Sequence, residues 1–214
     1  MINIKTFVFN FIQTNTYVLY DETKECVIID SACNEDIERE ELKNFITEHG
    51  LLPKRLLNTH CHVDHVIGNQ FIIDNYNIGY EAHADGKLFW EMATEFGSVF
   101  NFKINDFPKP VNFLKHGDKI NFGVSELDVV YTPGHADGSI CFINRKQKFI
   151  IVGDVLFKDS IGRTDLPTGN YDELIKSIKN QLFTLDDDFI VYTGHGPSTT
   201  IGYEKKNNQF LKGI

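Results

Sequence analysis

Little in this chain suits life outside a cell. Its four cysteines, Cys26, Cys33, Cys61 and Cys141, are too few and too scattered for a disulfide framework, so a reducing cytoplasm is the expected setting. The N-terminus, Met1-Ile2-Asn3-Ile4-Lys5, has no charged region followed by a long apolar run, and no signal peptide is expected. No apolar run approaches the roughly 18 residues a membrane-crossing helix needs. Positive charge is scarce: 21 Lys and Arg face 30 Asp and Glu, and a net charge of -9 argues against a nucleic-acid backbone as partner. The acidic residues are spread along the chain, which reads as solubility and not as an interaction tail. There is no linker or low-complexity stretch. A chain of 214 residues with 42% hydrophobic content can therefore form one domain, 1–214, with a sizeable core.

Against this plain background stands Thr59-His60-Cys61-His62-Val63-Asp64-His65. Arg55 to Asn58 before it reads as a short buried strand, and Val66 to Tyr76 after it as a helix. A strand-to-helix turn lets a rigid scaffold aim several side chains at one point. His60 and His62 alternate along an extended segment and so point the same way, whereas Cys61 points away and reads as a small buried residue. Asp64 and His65 follow as the chain turns and can face a neighbouring point. The motif can thus serve two adjacent metals. Imidazole and carboxylate together suit zinc, iron or manganese.

Ile4–Phe9, Thr16–Tyr20 and Glu25–Asp30 read as strands, the last two joined by the polar turn 21–24. Asn34 is the expected cap of a helix that carries Leu42, Phe45 and Ile46 at helical spacing and stops at Gly50. A strand is expected over 78–82 and a helix over 84–96. Between Gly97 and Pro110 the pattern weakens, and Phe100, Phe102 and Phe107 suggest a packed connection more than a substrate lid. Strands follow over 119–122, 126–131, 140–144 and 148–152, then a helix from Tyr171 to about Phe183 with Asn170 and Glu173 as capping pair. A strand over 189–193 and a helix after Pro197 close the chain. The order suggests two similar halves, two packed sheets with helices outside.

Three later segments share one grammar, a buried strand and then a ligand-type residue in a glycine-bearing turn: Thr132-Pro133-Gly134-His135, Val152-Gly153-Asp154 and Thr193-Gly194-His195-Gly196. With the first motif they make seven candidate ligands at strand ends, enough for two metal sites sharing a bridging carboxylate. His49 reads as a surface or capping residue, and His83 and His116 as structural.

This ordered set resembles that of the metallo-β-lactamase superfamily over nearly the whole chain. The resemblance implies an α+β fold, a four-layer αββα sandwich with a metal site at one edge. It implies two divalent ions, zinc first, with iron or manganese also accommodated. Metal one would take His60, His62 and His135; metal two would take Asp64, His65 and His195; Asp154 would bridge. Gly153–Phe157, Ser160–Leu166 and Thr193–Gly202 resemble the glyoxalase II-like hydrolases of the short bacterial branch, which are similar to hydroxyacylglutathione hydrolase. A thioester such as S-lactoylglutathione would then be cleaved by a metal-bound hydroxide at a binuclear site. Asp154 and Asp64 would be the catalytic carboxylates, Asp154 bridging and orienting, Asp64 accepting a hydrogen bond from the hydroxide. The expected partner is a small-molecule thioester, with neither nucleic acid nor membrane, and the expected state a monomer or small homo-oligomer. A chain ending at Ile214 leaves no room for the C-terminal helical domain that carries much of the glutathione contact in full-length glyoxalase II. Two smaller departures are Ser31-Ala32, where the family commonly has Pro-Gly, and Gln209, where it commonly has proline. Arg163 and Asp165 are expected to pair and anchor their loop, or else to meet a substrate carboxylate.

The nearest rival resemblance is to persulfide dioxygenases, which hold one iron by residues matching His60, His135 and Asp154. The Gly-His-Gly-Pro-Ser-Thr-Thr segment at 194–200 fits the hydrolase branch better. A flavodiiron-type oxidoreductase would want Glu at position 62, an RNA-processing nuclease a more basic surface, and an exported β-lactamase a signal sequence. A non-catalytic binding protein on this fold would be expected to have lost ligands.

Overall fold

A computed structural model describes residues 1–104 and 107–213. The first sheet has the order β1 (Asn3–Phe9), β2 (Thr14–Tyr20), β3 (Glu25–Ile29), β4 (Leu52–Leu57), β5 (Tyr80–His83), β6 (Asn112–Leu114). Its first three strands are antiparallel neighbours, and β3 to β6 run parallel through crossovers that carry helices. The second sheet uses β7 (Lys119–Phe122), β8 (Ser125–Tyr131), β9 (Ile140–Asn144) and β10 (Phe149–Gly153); after the small hairpin β11 (Leu156–Phe157) and β12 (Ser160–Ile161), β13 (Ile190–Thr193) and β14 (Thr199–Thr200) complete it in the order β14-β13-β10-β9-β8-β7.

Strand parity explains the layering. Successive side chains of a strand face opposite ways. Tyr17, Leu19, Val27, Ile29 and Leu57 of the first sheet meet Ile140, Phe142, Phe149 and Ile151 of the second in one buried cluster between the sheets. Their neighbours Val18, Cys26, Ile28 and Leu56 face the other way, onto a cluster under the first sheet's helices, and Cys141, Ile143, Ile150 and Val152 do the same in the second half. Strands buried on both faces read as continuous apolar runs such as Cys26–Ile29 and Phe149–Val152. The result is helix, sheet, sheet, helix. Among the described residues no helix is long and apolar enough to cross a membrane.

The helices differ from expectation in instructive ways. Helix α1 (Asp36–Glu48) is capped by Glu35 and not by Asn34. Glu38 closes a capping box by accepting the Glu35 N–H at 3.0 Å, and it also accepts the N–H groups of Asn34 and Asn10 at 2.7 and 2.6 Å. The helix expected over 66–76 is split into α2 (Val63–Val66) and α3 (Asn69–Tyr76). The Gly68 N–H donates to the Ser31 carbonyl at 2.8 Å, and a side chain there would collide with Ser31. The helix expected over 84–96 is a 3₁₀ turn, then α4 (Lys87–Glu91) and α5 (Ala93–Val99), broken at Met92. Asn170 caps α6 (Tyr171–Ser177) as expected, through Glu173 N at 3.1 Å, and a π-helical turn continues it to Leu182. Helix α7 (Ile201–Asn207) follows Pro197. The weak stretch 97–110 packs Phe102 and Phe107 against the core and ends α5 beside the site; positions 105 and 106 lie outside the described residues.

Candidate metal centre

All seven candidate ligands converge at one end of the two sheets. His60, His62, Asp64 and His65 come from the β4-to-α2 turn, His135 from the turn after β8, Asp154 from the end of β10 and His195 from the end of β13. The turn glycines behave as the sequence suggests: Gly134, Gly153 and Gly196 have φ of 125°, 55° and 70°. Gly194 serves differently, since a side chain there would run into the Asp154 carboxylate.

The ligands form two groups. His62 Nδ1 lies 3.1 Å from His60 Nε2 and 3.0 Å from His135 Nε2. His65 Nε2 lies 3.3 Å from His195 Nε2 and 3.4 Å from Asp64 Oδ2, and His195 Nε2 is 3.3 Å from that same oxygen. Asp154 stands between the groups. Its Oδ1 is 3.3 Å from His65 Nε2, and its Oδ2 is 3.6 Å from His135 Nε2 and 3.5 Å from His195 Nε2.

The outward nitrogens explain why the inward ones cluster. His65 Nδ1–H donates to Asp30 Oδ2 at 3.1 Å. His135 Nδ1–H donates to the Arg163 carbonyl at 2.8 Å, and His195 Nδ1–H to the carbonyls of Ile12 and Gln13 at 3.2 Å each. Thr59 Oγ1 gives its own proton to Asp30 at 2.7 Å and so accepts from His60 Nδ1 at 3.2 Å. Each ring so held turns a bare lone pair inward. Lone pairs about 3 Å apart repel unless a cation or a proton lies between them. Asp154 Oδ1 is buried with no hydrogen-bond partner, which gives the same indication. The donor set, imidazole nitrogens and carboxylate oxygens within reach of one another, fits divalent metal.

Charge follows the same division. Burial first, then neighbouring imidazoles, holds the His60 pKa well below its ordinary value, and burial with His135 lowers His62 to about 3, so both are neutral donors. At the other group burial opposes the imidazolium, but the carboxylates win: Asp64 and Asp154 raise His65 well above its ordinary value, and Asp154 and Asp64 raise His195 to about 9. Burial likewise opposes ionisation of Asp64, and His65 with His195 outweighs it and brings it to about 2. The centre is built to hold positive charge.

Cys61 is buried away from the ligands, and burial pushes its thiol above the ordinary range. His49 hydrogen-bonds to Phe45 O at the end of α1; His83 stacks on Tyr131 with ring centroids 4.3 Å apart; His116 accepts the Tyr131 N–H. All three have the capping or structural roles expected of them. Arg163 and Asp165 pair through two bonds of 2.7 Å at the rim.

Sequence reasoning did not single out Asp30, Thr59 and Thr14 as parts of the site. Thr14 Oγ1 donates to Asp64 Oδ2 at 2.9 Å, and Asn10 Nδ2 donates to the Asp64 carbonyl at 3.1 Å. Asp30 alone carried a signal, a carboxylate at the end of a buried strand, as at Asp154.

The site opens into a cavity of about 620 Å³ lined by α4, α5 and the β11–β12 hairpin. A probable metallo-hydrolase of Bacillus subtilis is 36% identical over 95% of this chain and 94% of its own length. Hydroxyacylglutathione hydrolase GloC of Haemophilus influenzae is 35% identical over 98% of each chain. Among solved structures, BLEG-1 B3 metallo-β-lactamase superposes with a TM-score of 0.90 at 34% identity, covering 99% of this chain and 100% of that one. TTHA1623 in a di-iron-bound form gives 0.86 at 30%, covering 97% and 100%. The family model of the metallo-β-lactamase superfamily matches residues 9–195, a span that includes all seven candidate ligands, and the chain belongs to that superfamily.

Proposed function

We propose that this protein is a binuclear metallohydrolase of glyoxalase II type that cleaves thioesters. The observation that carries the reading is the position of Asp154, whose two oxygens reach both ligand groups and leave one of them unpartnered in a buried site. His60, His62 and His135 would hold one ion, Asp64, His65 and His195 the other, with Asp154 bridging. The likeness to a named hydroxyacylglutathione hydrolase over the whole length supports the reaction class. A solved neighbour with two irons supports the metal count. Zinc, iron and manganese all match the donors.

Divalent ions held there would supply an acidified water and polarise a carbonyl oxygen. The chain's own residues do the rest. Asp30, Thr59 and the loop carbonyls fix the ring tautomers. Thr14 holds Asp64 by the oxygen that faces His65 and His195, which keeps that carboxylate in place to orient water. Phe89 stands perpendicular to the His62 ring at 4.7 Å and shields the pocket side of the site. In the reaction a C–O bond forms from water to the acyl carbon, and the C–S bond breaks. The sulfur keeps the bonding pair and leaves as thiolate, and the water's protons pass to the medium. A thiolate is stable enough to leave without a dedicated acid.

The test is metal analysis of the purified protein combined with hydrolysis of S-lactoylglutathione and simple thioesters. Two ions per chain with release of thiol are expected, and His62→Ala and Asp154→Ala should lose metal and hydrolysis together. A fully metallated and active Asp154→Ala protein would overturn the assignment. One iron per chain with oxygen uptake on a persulfide would replace it with the dioxygenase reading.

A further inference from the structure

We infer that the substrate is a thioester with a bulky apolar body and not a glutathione conjugate. This rests on the thioester-hydrolase reading and sharpens it. The cavity of about 620 Å³ is far larger than a lactoyl group needs, so its walls decide what else enters. Phe89, Phe96, Val99 and Phe100, from α4, α5 and the C-cap of α5, line it together with Ile161 and Leu166. Val99 is 76% exposed, and Phe11, next in sequence to the lining residue Ile12, is 63% exposed, so apolar surface continues out to solvent. The wall is held in place, because Phe11 stacks on Phe102 at 4.8 Å and ties the β1–β2 turn to the chain that leaves α5.

The charged groups are as telling. Among the described lining residues, Arg163 is the charged side chain outside the seven ligands, and Asp165 already neutralises it through two hydrogen bonds. Lys158 and Asp159 both line the adjoining groove, so it presents no net charge to an entering carboxylate, and Lys158 lies over the Tyr203 ring at 5.7 Å. A glutathione arm would bring two carboxylates and an ammonium, each of which loses water on entry and needs a partner to compensate. An apolar chain needs none and gains about fourfold in binding for each methylene buried.

The test uses the zinc-loaded full chain. Thioesters of N-acetylcysteamine are varied from acetyl to octanoyl, and acetyl thioesters of alkyl thiols are varied in thiol length, with S-lactoylglutathione for comparison. In at least one series kcat/KM should rise about three- to fourfold per methylene over the first few carbons, and it should exceed that for S-lactoylglutathione at least tenfold. Val99→Asp, at an exposed position that folding tolerates, should flatten the rise, and Phe100→Ser should do the same. Two flat series, or a preference for S-lactoylglutathione, would overturn the inference. Calorimetric titration with octanoate, lactate and glutathione reads the same wall without turnover, and octanoate should bind at least tenfold tighter than either. If no thioester is cleaved while octanoate is preferred, the hydrolase reading fails and the apolar selectivity of the pocket stands. Equal binding of the three overturns the selectivity itself.

Discussion

The Asp30 carboxylate accepts the Nδ1–H of His65 at 3.1 Å from the end of a strand, where its own backbone has a φ of 55°. It accepts the Thr59 N–H and hydroxyl as well, both at 2.7 Å. One side chain thus fixes the tautomer of a candidate ligand ring and the turn that carries His60. Asn at this position keeps the shape but offers one acceptor oxygen in place of two. Asp30→Asn should therefore weaken metal binding by about 10- to 100-fold, as loss of an outer carboxylate typically does. Competition with a chromophoric chelator would measure this, and an unchanged far-ultraviolet spectrum would separate it from unfolding.

Thr14 makes a narrower contribution. Its hydroxyl donates to Asp64 Oδ2, and among the described residues it makes no hydrogen bond to His60, His62 or His135. Thr14→Val keeps the volume and removes the bond to a charged acceptor, a loss of about 1.5–3 kcal/mol. Metal titration should show one ion still tight and the second weakened by roughly 10- to 100-fold. Equal weakening of both would contradict the division of the ligands into two groups.

Cys61 lies inside the ligand motif yet should be dispensable for chemistry. Its thiol is buried, and burial holds it in the protonated, unreactive form. Cys61→Ala should keep the rate on a thioester within about threefold, and iodoacetamide should leave the folded enzyme active. Stability should fall by about 1 kcal/mol, from the small cavity left.

Acid stability should depend on Asp21. Burial would push its carboxyl up, but hydrogen bonds from Thr23, Ser125 and Val124 outweigh burial and bring it down to about 2. These bonds fasten the β2–β3 turn of the first sheet to the β7–β8 turn of the second. A folded value below the ordinary 3.8 means that the stabilisation is complete above about pH 4 and fades as pH falls toward 2. The shift corresponds to about 2 kcal/mol. Asp21→Asn should lower Tm by roughly 4–8 °C at neutral pH, and less at pH 2. Thermal melts of both proteins across that range would show the difference closing, and a difference that widens in acid would refute the linkage.

Much of the site can be read from the sequence because its ligands are local to recognisable turns. His60 and His62 share a parity, and His135, Asp154 and His195 each close a buried strand beside glycine. The continuous apolar runs at 26–29 and 149–152 likewise announce strands covered on both faces. What sequence hides is what depends on distant partners. Thr14 meets Asp64 fifty positions away, and nothing in an ordinary threonine announces it. The break between α2 and α3 exists because Ser31 approaches Gly68, and the cap of α1 is Glu35, whose partner Glu38 also accepts the distant Asn10 N–H. Strand β6 follows a proline-bearing stretch and has two of its three residues exposed, so it shows no apolar pattern.

The loop residues that hold His135 and His195 do so with main-chain carbonyls, those of Arg163, Ile12 and Gln13. A carbonyl is present whatever side chain the residue bears. Ile12 and Arg163 line the cavity, so their side chains are free to mutate while the candidate ligands His195 and His135 stay oriented. On the proposed reading, such a scaffold would let single substitutions exchange one substrate for another without passing through an ancestor that had lost its metal.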